Sequence, residues 1–470
     1  MKRRPIVGLL PFYLKLYDDT QPNLRDEFEN LLSAVVDGFN REGVEVVCAE
    51  NCRIRSEFEQ AIRLFEKEDV DLIVTLHLAY SPSLEAIDAV ALAQRPILIL
   101  DTTLDEEFGW NVDPARIMFN HGIHGVQDFA CMLRRRKIPF EIVAGHFAES
   151  NVLKRASDIA RAEYAKRRAA YAARVVKNAK VLRIGESFQG MGDFAVEDAV
   201  LQKALGIRVD QVSPEALIPY IEGIGDAEVE EEIRRDREAF VVELDESVHR
   251  RSVRIGLGLR RFLEQGGYSA FSMNFLAFNS ETGPLNTVPF LEASKAMARG
   301  LGYAGEGDVL TAVLVAALNQ GFGNTTFTEI FCPDWKGGSL FISHMGEVNP
   351  ATAAEKPRLR EKDFPWTPAL NPAVITCAPA PGPATLVNLA PGPDETFRLI
   401  VAPVEVLEDT PNPALRDSVR GWIRPSGSLE TFLEQYSRFG GTHHSALILG
   451  EHSEAVAAFA AFVGIEMKRL

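Results

Sequence analysis

Cysteine is scarce in this chain: five in 470 residues, at positions 48, 52, 131, 332 and 377, and no CxxC pair. A sparse, odd count argues against a disulfide framework and fits reduced thiols in a cytoplasmic setting. Long apolar runs are also missing. No stretch of about 18 apolar residues occurs, so no membrane-spanning helix is expected. The apolar segment after Met1 is short, interrupted by Pro11 and followed by charged sequence, which reads as a first strand and not as a targeting segment. Positive charge is in deficit, with 50 Lys and Arg against 66 Asp and Glu and a net charge of -16. That balance disfavours nucleic acid and anionic membranes as partners. The main basic stretch, Lys154 to Lys180, is interleaved with Ala, Asp and Glu at helical spacing and reads as a solvated helix face. No GxGxxG with a following acidic residue, P-loop, HExxH or GxSxG is present.

A length of 470 residues with 46% hydrophobic content exceeds one ordinary core, so two or three domains are expected. The first third alternates strand and helix patterns. Strands are expected at 5–12, 44–49, 70–78, 96–101 and 139–144, with helices between them. Near-continuous apolar strands in this order imply a parallel sheet covered on both faces. A long Ala/Arg/Lys helix over 152–178 leads to a second α/β unit with strands at 181–185, 207–212 and 269–275. Beyond about residue 322, Pro and Gly become frequent and apolar/polar alternation marks an antiparallel sheet or barrel. The expected class is α/β: two Rossmann-like parallel-sheet domains (1–165 and 166–320), then a β-rich, barrel-like domain (321–470). Residues 349–372, rich in Pro, Lys and Glu, read as a surface excursion, and 454–467 as a closing helix.

Four short segments carry the chemistry. Gly302-Tyr-Ala-Gly-Glu-Gly-Asp308 puts Glu306 in a Gly-rich turn between helices, with Asp308 suited to cap the next one. In Phe327-Thr-Glu-Ile-Phe331, strand alternation places Phe327, Glu329 and Phe331 on one face, so Glu329 is a partly buried carboxylate suited to acid or base work. His344 ends an apolar strand, and Glu347, three residues on, is placed to orient it. In Gly440-Gly-Thr-His-His444 the two imidazoles should point opposite ways on a strand, leaving at most one as a ligand. Two carboxylates and two or three imidazoles suit a divalent cation: Mn²⁺, with Co²⁺, Mg²⁺ or Zn²⁺ as alternatives. In the first domain, Asn120-His-Gly-Ile-His-Gly125 reads locally as a helix-start loop, with sugar recognition by His121 or His124 as the functional alternative.

The order and local sequence of these segments resemble the L-arabinose isomerase family, within the broader L-arabinose/L-fucose isomerase group. Further similar segments are Ser269 to Phe275, Thr75 to Pro82, Leu100 to Glu107 and His124-Gly125. The resemblance implies a Mn²⁺ site from Glu306, Glu329, His344 and His444. It implies a homo-oligomer, a hexamer or trimer, in which a neighbouring N-terminal domain helps wall the pocket. It also implies sugar contacts from Phe275, His124, His121, His443 and Tyr80. The segment Leu10 to Leu16 lacks the family's polar loop, His121 stands where the family usually has an amide, and Glu186 to Asp193 is longer than its counterpart. These departures lie at the substrate mouth.

The implied reaction is aldose–ketose isomerisation through an enediol, with Glu306 and Glu329 moving protons. Two rival readings share the scaffold: a non-catalytic sugar-binding protein, and a metal-dependent lyase or epimerase.

Overall fold

The computed structural model describes residues 3–281, 283–410 and 412–470, which form two compact units divided between Arg167 and Arg168. In the first unit, five parallel strands lie side by side in the order Glu45–Cys48, Ile6–Phe12, Leu72–His77, Ile97–Asp101 and Glu141–Ala144. The three inner strands are apolar and almost wholly buried, as strands covered on both faces must be. The strand expected to be buried at 44–49 is instead an edge, with Glu45 and Cys48 exposed. Its valines, Val46 and Val47, are only partly buried, each packing against the apolar cluster on its own side of the sheet. Helix Phe28–Arg41 buries Phe28, Leu31, Val35 and Phe39 on one side of the sheet. Helices Arg55–Lys67, Ser83–Leu92 and Ile123–Arg135 cover the other side.

The winding reverses between Ile6–Phe12 and Leu72–His77, and His77 stands at that switch point. Its ring packs on Phe12 and Phe129, and neither nitrogen has a partner among the described residues. Gly122 and Gly125 press against it: a Cβ on Gly122 would meet the His77 carbonyl oxygen at 2.2 Å. Burial pulls the imidazole down to about 3. The unfolded chain therefore binds a proton between pH 6.5 and 3 that the folded chain refuses. Stability should be intact above pH 6.5 and fall on acidification through that window, by up to ~5 kcal/mol from this group. Urea midpoints of His77→Leu should fall less between pH 7 and pH 5 than those of the parent. Parallel slopes would show that His77 is not the acid-sensitive group.

The second unit opens with four parallel strands in the order Gly302–Gly305, Ala270–Met273, Lys180–Ile184 and Arg208–Val212. Residues 302–305, expected as part of a turn, are an edge strand. The segment is short and glycine-rich because helix Val309–Phe322 lies directly on it. A Cβ on Gly302 would come 1.9 Å from the Ala312 carbonyl oxygen.

Six strands then close an antiparallel barrel: Gly382–Pro391, His444–Leu449, Thr325–Asp334, Ser339–Ser343, Gly421–Pro425 and Phe397–Val406. The first and last of these pair along their full length, which removes the sheet edge. Parallel α/β sheets followed by a β-rich barrel is the class that the sequence patterns predict. Two details differ. Residues 349–372 are not merely a surface excursion: Arg358–Glu361 is the middle strand of a small sheet, and Leu359 and Phe364 are buried. The last helix stops at Val463, and Glu466–Arg469 adds a parallel strand to Phe397–Val406. No helix among the described residues is long and apolar enough to cross a membrane.

Candidate metal centre

Neighbouring barrel strands assemble most of the centre. Glu329 lies opposite His444 on one side and Ser343 on the other, so His344, the next residue, also faces it. Glu306 arrives from the end of strand Gly302–Gly305, with φ +65°. A left-handed backbone is costly for a side chain larger than glycine and is tolerated where the surroundings enforce it. Here the amide of Glu306 donates to the Met273 carbonyl at 2.8 Å, and its carbonyl accepts from Phe188 N at 2.9 Å. Gly305 admits the His344 ring, since a Cβ there would sit 2.9 Å from His344 Cε1. Gly307, at φ +84°, lets the 186–187 backbone approach. The glycines thus make room for a ligand side chain and a loop, not directly for a small molecule.

Glu329 Oε1 is 3.2 Å from His344 Nε2 and 2.8 Å from His444 Nε2. Glu306 Oε2 is 3.4 Å from His444 Nε2 and 3.5 Å from His443 Nε2. Glu306, Glu329, His443 and His444 each offer a donor atom, all within 4.8 Å of one another. Both members of the His pair reach Glu306, contrary to strand alternation, because the strand begins only at His444 and His443 still belongs to the turn. Gly440 takes a left-handed φ of +78°, and a Cβ on Gly441 would strike the Tyr436 ring, so this turn needs both glycines. The expected face-sharing of Phe327, Glu329 and Phe331 holds for the first two only. A bulge between Ile330 and Cys332 shifts the register, and Phe331 is exposed.

Electrostatics follow from the crowding. Burial works against charge on all four groups, but the pairing outweighs it. Glu306 is held down at about 2 by His443, His444 and His344, and Glu329 lower still by His344 and His444. His344 is pushed up to about 10 by Glu347 and Glu329, and His444 is raised well above its ordinary value by Asp308 and both glutamates. One contact is ambiguous. His444 Nε2 lies at bonding distance from Glu329, yet it and Glu306 Oε2 are buried without an aligned hydrogen-bond partner among the described residues. Alignment decides, because a hydrogen bond weakens steeply off its axis. Oxygen and nitrogen donors converging without aligned hydrogen bonds suit a divalent cation, but the four that lie together include His443 where the sequence reading has His344, whose Nε2 stands 3.2 Å from Glu329 beside them.

A second layer supports the donors. Asp308 accepts from His444 Nδ1 at 2.9 Å while capping the following helix through Thr311 N at 2.9 Å. Glu347 accepts from His344 Nδ1 at 2.6 Å, from Tyr303 Oη at 2.7 Å and from Gly346 N at 2.8 Å. Phe194 stacks on His444, and Phe327 meets the rings of His344 and His444 edge-on. Asp308 reads from sequence as a helix cap. Its contact with a histidine 136 residues away has no local signal. Tyr303 and Phe194 likewise become visible only in three dimensions.

Phe275 follows strand Ala270–Met273, and its ring lies 5.7 Å from that of Phe188 and 5.5 Å from that of Phe364. Tyr80, His121 and His124 belong to the first unit. Tyr80 is half-buried, His121 Nε2 lies 2.9 Å from Tyr17 Oη, and His124 is exposed beside His121. Helix Ile123–Arg135 begins within this segment, in keeping with its local reading.

Comparison with known proteins agrees in order and extent. Models of the L-arabinose isomerase N-terminal, central and C-terminal domains match residues 28–170, 180–321 and 324–466. An L-arabinose isomerase of Nocardioides sp. is 29% identical over 85% of this chain and 80% of its own. L-arabinose isomerase 1 of Bacillus licheniformis is 28% identical over 88% and 82%. A periplasmic solute binding protein of Actinobacillus succinogenes, solved with D-allose, covers 68% of this chain and 92% of its own, but a TM-score of 0.18 carries no argument. The chain belongs to the L-arabinose isomerase family and is a sugar isomerase.

Proposed function

We propose that the protein is a metal-dependent aldose–ketose isomerase of the L-arabinose to L-ribulose type, acting on an open-chain pentose, 6-deoxyhexose or hexose. Its ion, Mn²⁺ or else Co²⁺, Mg²⁺ or Zn²⁺, would be held by Glu306, Glu329, His344 and His444. The observation carrying this reading is the convergence of Glu306, Glu329 and His444, with unaligned buried atoms on Glu306 and His444 and with His344 Nε2 3.2 Å from Glu329. A bound cation would polarise the carbonyl and acidify the adjacent C–H. One of Glu306 and Glu329 takes the proton from that carbon, giving a cis-enediol, and delivers a proton, after exchange with solvent, to the neighbouring carbon. The other exchanges protons with the two oxygens. Division of labour follows from their unequal surroundings: Glu329 faces two buried imidazoles, whereas Glu306 faces one buried and one open imidazole. Phe275 with Phe188 walls the sugar chain, and His443 contacts its hydroxyls. Tyr80, His121 and His124 serve the pocket from a neighbouring copy in a homo-hexamer or trimer. The chain divides into domains 1–165, 166–320 and 321–470, and its free thiols suit the cytoplasm.

The test is incubation of the Mn²⁺-loaded protein with a panel of pentoses and 6-deoxyhexoses in D₂O, followed by NMR. A ketose carrying deuterium on the carbon next to the carbonyl is the expected product. A thermal shift with one sugar but no turnover of any would favour the binding protein, and a cleaved or epimerised aldose the lyase or epimerase.

A further inference from the structure

His443 differs from the other donors of the centre. Its side chain is 40% exposed, against 5% for His344 and 0% for His444, so it stands on the open side, where a ligand enters. A ring at an open mouth would ordinarily sample several rotamers. This one is pinned. Asp193 Oδ2 accepts from the backbone N–H of His443 at 2.9 Å and from its ring Nδ1 at 2.7 Å. Because a carboxylate only accepts, Nδ1 carries a hydrogen, which leaves Nε2 as the ring atom turned toward a ligand. That atom is aimed toward Glu306 Oε2 at 3.5 Å, too far for a good hydrogen bond between them. The segment that carries Asp193 is tied to the centre at two more points. Phe188 N donates to the Glu306 carbonyl at 2.9 Å, and the Phe194 ring lies 4.9 Å from that of His444.

We propose that Asp193 is a positioning residue that fixes the His443 ring with Nε2 facing the Glu306 side of the centre, to hydrogen-bond a sugar hydroxyl. This rests on the isomerase reading above and adds to it a residue that acts on the sugar and not on the ion. Without the carboxylate the ring is free to rotate, and Nε2 is no longer held toward the sugar.

The test uses full-length protein loaded with Mn²⁺ and a pentitol, which lacks the carbonyl and cannot turn over. Asp193→Ala and Asp193→Asn should each weaken pentitol binding and raise KM by about tenfold, while Mn²⁺ affinity stays within about twofold of the parent. Asp193→Glu should recover part of the loss. In a His443→Ala background, Asp193→Ala should have no further effect, since a residue acting through another is non-additive with it. Additive losses, unchanged pentitol binding, or a fall in Mn²⁺ affinity alone would each overturn the assignment. Failure of the parent itself to bind Mn²⁺ and pentitol would instead overturn the isomerase reading beneath it.

Discussion

Replacing Glu329 or Glu306 by Gln is expected to lower kcat/KM by at least ~10³-fold while the protein still folds. Gln keeps the shape and one carbonyl acceptor, but it cannot take up a proton, and it removes a charge from the donor set. The fold should survive because the penalty is shared. The carboxylates around His344 and His444 raise their pKa against the opposing effect of burial, so losing one carboxylate lets the imidazoles titrate nearer their ordinary range without leaving a buried charge unpaired. Glu306 allows a sharper version. Its φ of +65° is a conformation glycine adopts freely, so Glu306→Gly should be at least as stable as the parent, by up to ~1 kcal/mol, and yet inactive. Thermal unfolding beside steady-state kinetics reads both effects. Retained activity in both Gln variants would remove these residues from the chemistry, and a Gly variant less stable than the parent would mean that Glu306 contacts outweigh its backbone strain.

How much of this was legible in the sequence depends on the range of each interaction. Apolar runs in Leu72–His77 and Ile97–Asp101 report burial on both faces, which is a local property, so the parallel sheets could be read directly. Gly302–Gly305 was not readable as a strand, because its glycines answer to a helix packed on top and not to strand propensity. The four-part donor set was legible only as an ordered series of short segments. Its registration is set by barrel pairing: Glu329 meets His344 through the next strand in sequence, but His444 through a strand more than a hundred residues on. The His pair misled for a related reason: alternation applies within a strand, and the strand edge falls between the two histidines. Asp193 was invisible because its partner lies 250 residues away.

The buried partners of the two enclosed histidines should govern ion affinity without touching the ion. Glu347→Gln is expected to weaken Mn²⁺ binding about 10- to 100-fold, the range typical of outer partners of metal-ligating histidines. Glu347 now accepts from His344 Nδ1, which leaves Nε2 free to face Glu329 and the centre. An amide can turn its NH₂ toward Nδ1, and the imidazole then carries its hydrogen on Nε2, the atom that must donate a lone pair. Asp308 poses the same question with a complication, because it also caps helix Val309–Phe322. Asp308→Ala would lose cap and orientation together, costing about 1 kcal/mol of stability as well as affinity. Asp308→Asn separates the two, since Asn caps a helix about as well as Asp but offers His444 Nδ1 no anionic acceptor. Stability close to the parent with Mn²⁺ affinity reduced at least tenfold is the expected outcome, read by calorimetric titration and thermal unfolding on the same samples. Equal affinity in Asp308→Asn and the parent would mean that the His444 ring is held by Phe194 and Phe327 packing alone, and that Asp308 serves the helix and not the ion.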